Sequence, residues 1–280
     1  MTDFIYSEKE IADAFQLLEK DELIFSLDGF YSLYNAPFLV QRRKKGNEKA
    51  IGQLKIAAKV GRLLAQFPYV RGIAISGSLS KNFADENSDI DFFIITSKNR
   101  LWIARTFMHL FKKLTYIAGK QHWVCMNYYV DEAGLELKEK NIFTAMEAIT
   151  AMPLYGDAAF KNFIVANNWV KNFFPRRIID LSGTKKIRKG LFKSFVEIIF
   201  NNRFGNWLDE KLMKLTVNRW QKKTMNKKRN KRGIILGIDS GVHYCKPDPR
   251  YFQQKVVGQF NLKMEQLMMQ LDPMPRVKAV

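Results

Sequence analysis

Residues 76–81 have the sequence SGSLSK, and residues 88–95 have the sequence SDIDFFII. The apolar runs at residues 70–75 and 90–95 are predicted strands. Because side chains alternate across a strand, we expect Asp89 and Asp91 to project from the same face. A Gly-Ser turn shortly ahead of two carboxylates, flanked by one predicted strand before the turn and another at the carboxylates, decides the fold of this part of the chain.

The two neighbouring carboxylates repel each other and therefore indicate a bound cation. Hard divalent ions such as Mg²⁺ take carboxylate and phosphate oxygens. A turn at Gly77 and Ser78 that opened a helix would offer backbone N–H groups and a hydroxyl to a phosphate. Together these parts predict a site for a metal-bound nucleoside triphosphate. An Asp-x-Asp pair also holds sugar nucleotides in glycosyltransferases, but that chemistry does not need a Gly-Ser turn upstream.

At these residues the chain resembles the nucleotidyltransferase superfamily, which includes DNA polymerase β and kanamycin nucleotidyltransferase. The shared pattern is an apolar strand, Gly-Ser or Gly-Gly, a short helix, and then Asp-x-Asp at the start of the next strand. The motif covers about residues 70–96, and the hydrophobic pattern extends the resemblance to about residue 130. It implies a Mg²⁺-dependent or Mn²⁺-dependent enzyme that transfers a nucleoside monophosphate from an NTP to an acceptor. Asp89 and Asp91 would be the catalytic metal ligands, and the nucleotide-binding residues would be Gly77, Ser78, Ser80 and Lys81.

The resemblance also implies a third acid on a neighbouring strand, which would accept the proton of the attacking hydroxyl. The chain has Asn127 where that acid is expected, and an amide cannot act as a base. Asp131 could substitute if the strand were offset, and Glu147 on the following predicted helix is a further candidate. The alternative hypothesis is a catalytically inactive protein on the same fold that binds nucleotide or nucleic acid as a regulatory or antitoxin-like module.

Composition indicates a folded protein of about two domains. The chain has 280 residues, of which 47% are hydrophobic and 13% aromatic. We find no signal-peptide pattern and no window of 18 uncharged apolar residues, so we expect no membrane span. Two cysteines without a framework are typical of a reducing cytoplasm, where we place the protein.

The positive charge is concentrated in one segment. Between Lys171 and Arg232 there are 19 Lys and Arg against four Asp and Glu, which gives +15 of the total +19. Such a segment attracts polyanions, so a polyanionic acceptor such as RNA is a predicted partner beside the NTP. A solubilising surface is the alternative. The segment also interleaves aromatic side chains with cations, and their helical spacing predicts that they pack inward: Phe192, Phe195, Phe200, Phe204 and Trp207.

The predicted fold class is α/β (α+β), with three parts. Residues 1–40 form a partial winged-helix-like element, a helix over 7–20 followed by a hairpin at Asp28 and Gly29. Residues 41–155 form the nucleotidyltransferase core with a small mixed sheet, and they begin with a basic link at 41–47. Residues 156–280 form a basic helical domain, in which strand signals nearly vanish.

Overall fold

The computed structural model describes residues 6–86, 88–117, 123–229, 233, 235, 237–247 and 252–271. Its helices are α1 (Glu8–Lys20), α2 (Pro37–Leu64), α3 (Leu101–Ile117), α4 (Ile142–Ile149), α5 (Asp157–Ala166), α6 (Leu191–Phe200), α7 (Arg203–Met225) and α8 (Phe252–Leu271). Its strands are β1 (Phe25–Leu27), β2 (Phe30–Ser32), β3 (Val70–Ile75), β4 (Asp91–Thr96), β5 (Cys125–Asp131), β6 (Met152–Tyr155), β7 (Ile238–Ser240) and β8 (Tyr244–Pro247).

A six-stranded mixed sheet forms the centre of the protein, in the order β6-β3-β4-β5-β8-β7. β4 and β5 run parallel, and the other neighbouring strands run antiparallel. Alternation along β4 divides the core in two. Phe92 and Ile94 pack with residues of α2 and α3, whereas Phe93 and Ile95 pack with residues of α4 and α5. This arrangement confirms the predicted α/β core with a small mixed sheet.

The N-terminal helix and hairpin form where the sequence predicts them. Ser7 and Glu10 make a reciprocal capping box at the start of α1. Asp28 and Gly29 both have positive φ, as a two-residue hairpin turn requires. Apolar side chains of α1 remain about half exposed, 46% for Ile11 for example, so this element packs more loosely than the sheet.

Helix α2 is longer than the sequence indicates. It begins at Pro37 and runs without a break through the predicted basic link at 41–47. Val40 and Gly46, in this first part of the helix, are buried. Gly46 lies directly against the ring of Phe83. The four basic residues at 42–45 interrupt the apolar pattern, so the sequence does not indicate that the helix begins before them.

The C-terminal half adds strands that the sequence does not indicate. Pro153 lies in β6, an edge strand, where its missing N–H is tolerated. β8 pairs with β5 through Tyr129 and Cys245, and β7 pairs with β8. Residues 238–247 therefore complete the sheet of the predicted core. The domain limits at 40 and 155 stay predictions.

The basic helix α7 lies on the face of the sheet that α2 and α3 cover. Leu212, Met213 and Val217 pack against the core that includes Phe92 and Ile94. This is the opposite face from Phe93.

Candidate functional site

The structure brings Asp89 and Asp91 together at one end of β4. Asp91 is the first residue of the strand and shares its face with Phe93, two residues on. Ile90, between the two aspartates, points into the opposite core and is 2% exposed. The charge of Asp89 acts on Asp91, as expected for side chains on the same face.

The electrostatics of Asp91 favour a cation. The pKa of its carboxyl is raised to about 6, and burial is the largest cause. A hydrogen bond from Cys125 opposes the rise, whereas the charges of Asp89 and Glu147 contribute to it. Burial, reinforced by the charge of Asp91, raises the pKa of the Cys125 thiol to about 12. A neutral thiol thus donates to a carboxylate that lies among other acids. A divalent ion would relieve this repulsion, so the donor set fits Mg²⁺.

Gly77 lies directly against Asp91. Its φ is +68°, in the left-handed region that favours glycine. A Cβ placed on Gly77 would lie 2.5 Å from Oδ2 of Asp91, well inside van der Waals contact. Both the turn and the close approach of the carboxylate therefore require glycine at this position.

The residues after Gly77 form a single 3₁₀ turn, Leu79–Lys81, where the sequence predicts a short helix. The Ser80 hydroxyl donates to the carbonyl oxygen of Gly77 at 2.9 Å. The Lys81 ammonium donates to that same oxygen at 2.9 Å and to Oε1 of Glu147 at 2.7 Å. Ser78, at the start of the turn, is partly exposed. These bonds hold the turn in place beside the aspartates.

Asn127 lies in a β-bulge of β5. Asp91 pairs with Cys125 and Phe92 with Met126, but Phe93 pairs with Tyr128, so Asn127 is the extra residue. Asn127 lines a cavity together with Ser76 and Glu147. The structure thus places Asn127 in the same cavity wall as Glu147, the acid whose charge reaches Asp91.

Asp131 lies far from the other candidate residues. It pairs with Thr96 at the far end of β4, about 16 Å from Asp91 at 3.3 Å per residue. It is fully buried and accepts hydrogen bonds from the backbone N–H groups of Asn99 and Ala133, and its Oδ2 lies 2.9 Å from Nδ1 of His243. The structure does not bring Asp131 to the aspartate pair, and its contacts hold loops together instead.

A cavity of about 360 Å³ opens on the face of the sheet that carries Phe93, and its lining includes Asn127 and Glu147 but neither Asp89 nor Asp91. Most of its walls are apolar or aromatic, and the rings come from β4, β5 and three helices: Phe93, Tyr128, Phe143, Phe163 and Phe252. Two of its charged groups, Glu139 and Lys246, form an ion pair with each other at 2.6 Å. The cavity is therefore suited to the less polar part of a substrate.

Some site residues are recognisable only in the folded chain. Lys81 and Glu147 are 66 residues apart in sequence, and Arg43 of α2 donates to the backbone oxygen of Lys81 at 2.8 Å. Cys125 faces Asp91 because β4 and β5 are parallel and in register there. A lone cysteine at a strand start and a basic stretch in a predicted link give no sequence signal for these contacts.

Within the described residues, three His, Cys, Asp or Glu side chains do not come together as a ready-made metal site. Two carboxylates alone are still a usual protein contribution to bound Mg²⁺, because substrate phosphates and water supply the remaining ligands. In the described part of the chain, no helix is both long and apolar enough to cross a bilayer.

Comparison with known proteins gives one family. No curated protein and no solved structure matches the chain. The family model described as "Nucleotidyltransferase domain" matches residues 57–203, slightly more than half of the sequence. This range includes β3, β4 and β5 and the site residues that the sequence predicts, from Gly77 to Glu147. The chain therefore belongs to the nucleotidyltransferase domain family.

Proposed function

We propose that the protein is a Mg²⁺-dependent nucleotidyltransferase that moves a nucleoside monophosphate from an NTP to an acceptor hydroxyl or phosphate and releases pyrophosphate. One observation carries the proposal. The charge of Asp89 acts on Asp91 at the start of β4, and Gly77 lies so close to Asp91 that a Cβ on it would be 2.5 Å from Oδ2 of that carboxylate. A purely structural turn would not need its glycine packed against a partly buried carboxylate.

In this proposal Asp89 and Asp91 hold Mg²⁺, or Mn²⁺ in its place. When bound, the metal neutralises charge on the triphosphate and on the transferring phosphoryl group. The turn at Gly77 and Ser78 presents backbone N–H groups and a hydroxyl to the phosphates. Lys81 supplies a positive charge to the same phosphates, and its contact with the Gly77 carbonyl keeps its ammonium beside the turn.

The attacking hydroxyl must lose a proton, and Asn127 cannot accept it. We propose that Glu147 takes this role. Its carboxylate lines the same cavity as Asn127, and its charge reaches Asp91. Asn127 would contribute its carbonyl oxygen to the metal or hydrogen bonds to a substrate.

The position of the cavity favours a small acceptor. Its aromatic and aliphatic walls lie on the face of the sheet that carries Phe93 and include Glu147, whereas the basic helix α7 packs on the opposite face. The net positive charge by itself favours a polyanionic acceptor such as RNA, but the described part of α7 does not lie over the aspartate pair. Cytoplasmic location remains part of the proposal, and both cysteines are free, as a reducing compartment would keep them.

Calorimetric titration with Mg·NTP tests the site directly. We expect the double variant Asp89→Asn, Asp91→Asn to lose metal-dependent NTP binding, because it removes both anionic ligands without changing their size. The matched control is Asp13→Asn, Asp180→Asn, which removes two exposed charges elsewhere. Unchanged Mg·NTP affinity in the first double variant would show that the aspartates do not form the site.

The alternative of a catalytically inactive binding protein is favoured by one observation, the amide at Asn127 where an acid is expected. Incubation with an α-³²P-labelled NTP and a cell extract separates the two functions. Transfer of label to any acceptor, lost in the aspartate double variant, supports the enzyme. Mg·NTP binding without transfer would support a regulatory or antitoxin-like module.

A further inference from the structure

The two charged side chains of helix α6, Lys193 and Glu197, point toward the protein interior. Lys193 is 1% exposed, and its ammonium donates to the backbone oxygens of Ala65 at 3.1 Å and Val70 at 2.6 Å. Glu197 accepts two hydrogen bonds from the guanidinium of Arg71, at 2.8 Å and 3.1 Å. These buried polar contacts fix the helix on the start of β3 and determine which side faces outward.

The outward side of α6 is apolar. Leu191 is 93% exposed, Phe195 64% and Ile198 77%. Phe192 and Ile199 are also exposed, and at about 100° per residue all five fall on one stripe opposite Lys193 and Glu197. The sequence prediction that these aromatic residues pack inward is wrong for Phe192 and Phe195.

Exposed aromatic residues also occur in the first turns of α7. Phe204 stacks on Phe200, with ring centroids 6.1 Å apart, and on Trp207 at 5.5 Å. Phe204 is 55% exposed and Trp207 52%, so the inward prediction is wrong for these residues as well. We name this set the α6 surface, and its members are Leu191, Phe192, Phe195, Ile198, Ile199, Phe204 and Trp207. The five α6 residues form one exposed apolar stripe, and such patches mark protein or membrane interaction sites.

Cations surround the α6 surface without interrupting it. Arg188 and Lys189 precede it and are exposed. Arg203 follows α6, and Lys211 lies one turn beyond Trp207 with its ammonium 5.8 Å from that ring. The only lysine within α6, Lys193, points inward. The pattern is an apolar centre bordered by positive charge.

We propose that the α6 surface docks the protein on an anionic phospholipid bilayer, with α6 lying in the plane of the interface. Apolar side chains would enter the boundary between headgroups and acyl chains while the bordering cations contact anionic headgroups. Charge complementarity argues against a second copy as the occupant, because it would bring two segments of net charge +15 together. A polynucleotide would require cations along the stripe, and the one lysine of α6, Lys193, points inward.

This docking would leave the nucleotidyltransferase site accessible. α6 is fixed at Val70, whereas Gly77 lies beyond Ile75 at the other end of β3, and the two ends of this strand are about 16 Å apart at 3.3 Å per residue. The proposal is therefore independent of the activity assigned to Asp89 and Asp91.

Co-sedimentation with vesicles tests the proposal. Full-length protein is mixed with vesicles of phosphatidylcholine and phosphatidylglycerol (about 7:3) or of phosphatidylcholine alone. We expect binding to the anionic vesicles, at least about tenfold weaker binding to the neutral ones, and a similar loss in the variant Leu191→Gln, Phe195→Gln, Ile198→Gln. These side chains already face outward, so the variant should fold. The matched control is Val165→Gln, Leu262→Gln, Met269→Gln, which changes three exposed apolar residues of α5 and α8 and should bind like the wild type.

Three results would overturn the proposal. The first is equal binding of wild type and α6 variant to anionic vesicles. The second is sedimentation velocity showing a wild-type dimer that the α6 variant converts to monomer, without vesicle binding by either. The third is a gel-shift assay in which the α6 variant loses affinity for single-stranded RNA while the wild type ignores vesicles. Far-UV circular dichroism of both triple variants verifies that each is folded.

Discussion

Gly77 lies so close to Asp91 that adding one methyl group at this position should disturb the candidate site. In Gly77→Ala the new Cβ would lie 2.5 Å from Oδ2 of Asp91, so the carboxylate or the turn must move by about 1 Å to regain ordinary van der Waals separation. A misplacement of about 1 Å in a catalytic group can reduce a rate by about 100-fold. Alanine at φ +68° adds a backbone cost of about 1–2 kcal/mol.

Gly29 provides a matched control. Its φ is +79°, and a Cβ built there meets nothing within 4 Å among the described residues. Gly29→Ala should therefore lose about 1–2 kcal/mol of unfolding free energy, like Gly77→Ala, but without effect on the site. Urea unfolding measures the stability of both variants, and titration with Mg·NTP together with transfer of α-³²P label measures the site. If Gly77→Ala keeps wild-type affinity and transfer, the reasoning from the Asp91 contact is wrong.

Two further predictions concern buried or partly buried charges. Glu147→Gln should reduce label transfer by about 100-fold or more, as expected for loss of a general base, without weakening Mg·NTP binding, because it frees Lys81 from its ion pair. Glu136→Gln, which removes an exposed ion pair, is the control. Transfer by Glu147→Gln within about threefold of wild type would exclude the role. The pKa of Lys193 is lowered from 10.5 to about 8, mainly by burial. As pH falls through this range, the unfolded chain therefore binds the proton before the folded protein does. The stability that is present above pH 10.5 is progressively lost down to about pH 8. The stability difference between wild type and Lys193→Met, followed by urea unfolding, should therefore change by up to about 3 kcal/mol between pH 10.5 and 7.5, and a constant difference would contradict the shift.

The sequence predicts those parts of the site that depend only on residues close together in the chain. Two strands of continuous apolar residues, a glycine at a turn and aspartates at alternate positions are all set within residues 70–96. Period-two alternation fixes which face Asp89 and Asp91 share, whatever the rest of the chain does. The hairpin at Asp28 and the capping box at Ser7 are predictable for the same reason.

The remaining features depend on contacts between distant residues. The bulge at Asn127 arises from pairing with β4, and it cannot be read from the sequence of β5 alone. The Lys81–Glu147 pair joins residues from two separate elements. For α6 the periodicity correctly predicts a helix. The general expectation that the apolar side of a helix faces the core is wrong for this helix. Here the Arg71–Glu197 pair and the contacts of Lys193 determine the orientation instead.

The pairing of β5 with β8 has a consequence for the order in which the protein can fold. Tyr129 finds its partner at Cys245, 116 positions later in the chain. During synthesis the edge of β5 stays unpaired until those late residues leave the ribosome, and closing so long a loop is entropically slow. Nascent chains of this protein would thus spend their growth with an open strand edge, a state that invites chaperone binding or mispairing with a neighbour.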